Sequence, residues 1–125
     1  MKARIRKAHP IERALAMQKL RSLLTTEKIR IYVMERGEPC ADRMEALGHV
    51  LGTVAVAAVY GGLPQDDVRL RIIRGAISAM NSMIATDSWD PMNAPAIDRA
   101  IDCAEELNKT NTTDSTLRAF AAVSK

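Results

Sequence analysis

Aromatic side chains are nearly missing from this 125-residue chain, with Tyr32, Tyr60, Trp89 and Phe120 as the whole set. That scarcity excludes an aromatic platform of the kind that stacks single-stranded RNA bases. Cysteine is as rare: Cys40 and Cys103 stand far apart, with no Cys or His at ligand spacing around either. A zinc site built on them is excluded, and the pair reads as two small buried hydrophobes in a cytoplasmic protein. A disulfide between them would need an oxidising compartment. Glycine and proline are few and sit at punctuation points, which excludes a low-complexity or collagen-like chain. No apolar stretch follows the basic start MKARIRKAHP, so no export signal is expected, and the sequons in NKTNTT read as chance matches. The longest apolar run, Gly48 to Leu63, falls short of the roughly 20 residues of a membrane span and contains His49 and Thr53. No membrane partner is expected.

Catalytic signatures are missing too. There is no G-x-S-x-G, no phosphate-cradling glycine loop, no H-E-x-x-H, and no cysteine with a plausible histidine partner. The two histidines, His9 and His49, lie in different elements. No catalytic, cofactor-binding or metal-ligating residue is assigned, and no enzyme activity is expected.

What the chain does have is aliphatic and charged. Alanine, leucine, isoleucine and methionine dominate, and unbranched side chains lose little entropy in a helix. With 47% hydrophobic residues in one domain-sized chain, a real core can form without staples. The fold expected is all-α: a compact bundle of five to six helices, completed by homodimerisation. A basic arm over residues 1–8, too poor in apolar surface to order itself, precedes a single helical domain over 9–125.

Along the chain, Pro10 opens a first helix whose Ile11, Ala14, Leu15, Leu20, Leu23 and Leu24 gather toward one face. In EKIRIYVMERG the signals conflict. Ile29, Ile31 and Val33 alternate as in a strand, while Thr25 or Thr26 and Gly37 offer helix caps at both ends, and helix is the reading adopted. A third helix runs from Pro39 to about Tyr60, amphipathic at first and apolar all round from Val50, as in a helix buried on every side. The clearest stripe follows, with Leu70, Ile73, Ile77, Met80 and Ile84 spaced three, four, three and four, and Asp66 and Asp67 in the first turn. A fifth helix starts at Pro95 with Ile97, Ala100, Ile101, Ala104 and Leu107 inward. A loop over 109–113 leads to a last helix carrying Leu117, Phe120, Ala121 and Val123.

Three features point to contact with partners. Gly48 and Gly52, continued by Ala55 and Ala58, form a smooth strip that lets another helix approach closely, either inside the chain or between subunits. Inside the chain, the partner expected is the next helix, reached through Gly61-Gly62-Leu63-Pro64 as an antiparallel hairpin. Trp89, between Asp87 and Pro91, reads as a staple over a helix junction flanked by capping aspartates, or as an aromatic anchor for a partner. His49 alone reads as a boundary residue, and the acidic face of Asp98, Asp102, Glu105 and Glu106 as a solvated one.

Charge is the third feature. Residues 1–36 hold Lys2, Arg4, Arg6, Lys7, Arg13, Lys19, Arg21, Lys28, Arg30 and Arg36 against Glu12, Glu27 and Glu35, while the chain after Gly37 is net acidic. The function expected is a small non-enzymatic interaction or regulatory protein, self-associating and acting on a protein partner. Its possible interface residues are Gly48, Gly52, Ala55 and Trp89. The alternative is a sequence-independent nucleic-acid-binding accessory protein, with Lys2, Arg4, Arg6, Lys7 and Arg13 on phosphates. Arg69, Arg71 and Arg74 are the one cationic group on a helical face that could add to it.

Overall fold

A computed structural model of the chain describes Gln18, Ser22, Leu24, Thr25 and residues 41–123. The four isolated positions are helical. The basic arm, His9, Pro10, Arg13, the segment over 27–36 and Cys40 lie outside the described residues. Among the described residues every regular element is helical: α1 (Ala41–Tyr60), α2 (Val68–Thr86), a short 3-10 turn (Pro91–Asn93), α3 (Ala94–Thr110) and α4 (Thr113–Val123). No helix among them is long and apolar enough to cross a membrane.

α1 is the central element, packing against α2, α3 and α4. That position explains a helix so apolar: Val50, Leu51, Val54, Ala57 and Ala58 each meet a neighbour, whereas Asp42 and Glu45 in its first half face solvent. Thr53 is fully buried within it and donates its hydroxyl to the His49 carbonyl at 2.8 Å, so no polar group is orphaned there. The helix stops at two glycines. Gly62 takes φ 101°, open to glycine at little cost, and the Leu63 and Gly62 N–H groups return to the carbonyls of Ala58 and Val59 at 3.0 Å. This paired capping satisfies the last carbonyls and folds Leu63 onto the core. The reversal lays α2 along α1 as the expected hairpin.

α2 begins at Asp67, whose carboxylate accepts from the Arg69 N–H at 2.9 Å. Its buried face is Leu70, Ile73, Ala76, Met80 and Met83. Ile77 and Ile84, read from the sequence as central to the stripe, sit at its edge, half-buried against the core, while the buried face runs through Ala76 and Met83. α3 buries Ile97, Ala100, Ile101, Ala104 and Leu107 as the spacing predicts, and adds Asn108. The expected start at Pro95 is one residue late, and the loop expected over 109–113 shrinks to Asn111 and Thr112.

α4 departs further from expectation. Its buried residues are Ser115, Thr116 and Ala119, while Leu117 and Phe120 are half-buried and Ala121 is exposed. Hydroxyls can occupy that face because the turn satisfies them. Thr112 accepts from the Ser115 N–H at 3.1 Å and donates to the Ser115 hydroxyl at 2.7 Å, and Thr116 donates to the Thr112 carbonyl. Asn111 ties the same turn to the middle of α1 by donating Nδ2–H to the Val54 carbonyl at 3.2 Å.

Candidate functional site

The Gly48–Gly52 strip lies on α1 in the centre of the molecule. Both glycines are half-buried, and a methyl group added to either meets nothing within 4 Å among the described residues. Ala55 is 8% exposed and belongs to the core, while Val56 and Val59 continue the half-open strip toward Tyr60. The close approach that glycines permit is therefore not used by α2, α3 or α4. The buried face of α1 carries Leu47, Leu51, Val54 and Ala58. His49 is exposed beside the strip.

Trp89 lies in the corner between α2 and α3. The ring is partly buried against the core, as a staple requires, yet its indole N–H is buried without a hydrogen-bond partner among the described residues. Both flanking aspartates cap, by different means. Asp90 accepts from the Met92 N–H at 3.0 Å through its carboxylate. Asp87 closes α2 through its backbone, in the left-handed conformation with φ 47°. Its N–H reaches the Ile84 carbonyl, and the Ser88 N–H reaches that of Met83 at 3.1 Å. The Asp90 N–H donates to the Met83 sulfur at 3.3 Å, a weak acceptor. Met92 projects from the 3-10 turn with 83% exposure.

The charged residues of α2 are largely committed to one another. Arg69 spans Asp67, at 3.1 Å through Nε, and Glu106 on α3, at 3.0 Å through Nη1. This fork holds the Asp67 carboxyl below its usual range, chiefly through the side-chain hydrogen bond, and raises the guanidinium for the same reason. Arg74 folds back onto the carbonyl and side chain of Gln65. Only Arg71 of the three arginines has no such partner among the described residues, which leaves little of the cationic face that a phosphate backbone would meet. On α3, Asp98, Asp102 and Glu106 are exposed and Glu105 half-buried. Among the described residues no group of three or more His, Cys, Asp or Glu comes together to hold a metal ion. Cys103 is half-buried rather than fully so, and burial first, then Glu106, pushes its thiol up, away from the reactive thiolate.

Two open clefts are lined by described residues. One of about 380 Å³ is lined by Leu24, Thr25, Glu105, Asn108 and Lys109. The other, of about 320 Å³, lies where the Gly61–Pro64 turn meets Leu107 and the α3–α4 turn. Both are near the lower end of ligand-sized pockets, and in neither do the described residues bring convergent catalytic groups together.

Sequence reasoning missed Asn108, which is 1% exposed with an Oδ1 that has no partner among the described residues. Its spacing of four from Ala104 and seven from Ile101 places it on the buried face, but the inward stripe read from the sequence ends at Leu107. The Arg69 fork and the orphaned indole N–H carried no sequence signal, since both depend on how α2 and α3 meet. Lys2, Arg4, Arg6, Lys7 and Arg13 lie outside the described residues. No known protein family, characterised protein or solved structure matches this chain.

Proposed function

We propose that this chain is a non-enzymatic interaction protein that acts through protein–protein contact and pairs with a second copy of itself across the α1 strip. The whole molecule is then a bundle of five to six helices whose core is completed by that pairing, with Gly48 and Gly52 at the contact and Ala55 beneath them in the core. One observation carries the reading. Two glycines inside a helix cost about 1 kcal/mol each relative to alanine, and the usual return, close packing of a neighbour, is not found among the described residues. A helix from another subunit supplies it, and two-fold pairs are the commonest way for small helical chains to do so.

The test is Gly48→Ala with Gly52→Ala, followed by light scattering over the micromolar range and by thermal unfolding. The pairing reading expects the wild type at twice the monomer mass, and the double variant at monomer mass with its helix intact. A wild type that is monomeric throughout, or a double variant that still pairs with wild-type affinity, removes the proposal.

A second reading rests on the ten basic residues within positions 1–36. Such a segment can follow a phosphate backbone by releasing counterions, with no sequence preference. Its signature is a micromolar complex with random duplex DNA that weakens steeply with salt. The interaction reading expects no electrophoretic shift at 150 mM salt with either DNA or RNA.

A further inference from the structure

The open face of α1 changes character along its length. At 3.6 residues per turn, Glu45, Gly48, Gly52, Val56 and Val59 fall within an arc of about 80°, with His49 and Tyr60 at its edge. Glu45, His49 and Tyr60 are exposed and the others half-buried, so this arc is the part of α1 left open by α2, α3 and α4. Charge divides it. The N-terminal end carries Glu45 and, at the edge, Asp42, both exposed. The C-terminal end carries a cation supplied by α4: the Arg118 guanidinium lies over the Tyr60 ring, 4.6 Å from its centroid. No ion pair among the described residues engages Glu45 or Arg118. Size divides the face in the same sense, with Gly48 toward the acidic end and Val56 and Val59 toward the basic one.

A face that is acidic and hollow at one end, basic and raised at the other, is complementary to its own reversed copy. Gly52 is the pivot. It stands between Glu45 and Tyr60, about 10 Å from the first and about 12 Å from the second along the helix axis. A two-fold axis at Gly52 sets Glu45 of each copy against Tyr60 and Arg118 of the other, and Val56 of each against the space left by Gly48. Parallel copies would instead set like on like: Glu45 on Glu45, Arg118 on Arg118, Val56 on Val56, and Gly48 on Gly48 across a gap. We propose that a second copy docks antiparallel on α1 about a two-fold axis at Gly52, fixed by reciprocal ion pairs between Glu45 and Arg118. This contact rests on the pairing across the α1 strip, and adds to it an orientation and the two charged residues that select it.

The test reverses charge at these two exposed positions: Glu45→Arg, Arg118→Glu, and both together in one chain. Circular dichroism checks helix content, and light scattering follows mass from below to above micromolar concentration. The wild type is expected to pair. Each single reversal should weaken pairing roughly tenfold or more, since the two-fold axis repeats every like-charge clash. The double reversal regenerates both contacts with opposite sense and should pair as the wild type does. Single variants that pair undiminished, or a double variant no tighter than the singles, overturn this contact and leave the pairing standing. A wild type monomeric throughout removes both. A crosslink reads the orientation independently of charge. In a Cys40→Ser, Cys103→Ser background, chains carrying Glu45→Cys are mixed with chains carrying Val59→Cys under mild oxidation. Mixed disulfide dimers should predominate. Disulfides formed mainly between identical chains, as parallel copies require, overturn the antiparallel arrangement.

Discussion

Asp87 is the one non-glycine residue with positive φ among the described residues. Holding an L-residue there costs roughly 1–2 kcal/mol, and a carboxylate at the negative end of a helix adds about 0.3–1 kcal/mol at the surface. Glycine relieves both, and gives back part of the gain through a looser unfolded chain. Asp87→Gly is therefore expected to stabilise by about 0.5–1 kcal/mol, seen as a higher urea midpoint with an unchanged slope. Two residues on, Trp89 sets packing against an unmet donor. Trp89→Ala removes most of a large ring from the core edge and should cost about 3 kcal/mol. Trp89→Phe keeps most of the ring and deletes an orphaned N–H whose burial costs about 1–3 kcal/mol, so it should be close to neutral. A phenylalanine variant as unstable as the alanine one would show that the indole nitrogen has a partner.

At the scale of elements, α2 is held at its start by a charge pair whose pH dependence has a definite sign. The Asp67 carboxyl is held below its ordinary value by Arg69, so its contribution is full at and above the ordinary carboxylate range and disappears as pH falls through the lowered value. The melting-temperature gap between wild type and Asp67→Asn should be constant from neutral pH down to about 5 and close below about pH 4. A gap that widened in acid would contradict the fork. In α1, alanine at Gly48 or Gly52 should raise the stability of the unpaired chain by about 1 kcal/mol per site, since nothing among the described residues obstructs the added methyl. That gain should appear together with loss of pairing. The same elements show what was legible beforehand. α2 and α3 were readable because their spacing and their neighbours' demands agree, and the Gly61-Gly62 stop because only one conformation suits it. α4 was not, because hydroxyls of Ser115 and Thr116 satisfied by Thr112 bury like apolar groups yet read as polar. The 3-10 turn at Pro91–Asn93 was hidden by its length. Trp89 was placed correctly at a helix junction, but its unmet N–H depends on tertiary packing that no local pattern encodes.

For the whole molecule, the absence of a ligand-grade cluster among the described residues carries a direct expectation. Treatment with EDTA should leave the melting temperature unchanged, and a drop of several degrees would reveal a bound ion whose binding energy had supported the fold. The molecule is also unevenly joined. Among the described residues α2 and α3 hold each other as well as α1, whereas α4 rests chiefly on α1, through Ser115, Thr116 and Ala119, the half-buried Leu117 and Phe120, and the Asn111 tie to the Val54 carbonyl. An element with one neighbour and little buried aliphatic surface can detach without dismantling the rest. Amide protons of α4 should then exchange with solvent by a local opening, well ahead of those in α2 and α3, which should wait for global unfolding. Asn111→Ala should hasten the first class and leave the second almost untouched. Partial unfolding is expected to begin at α4.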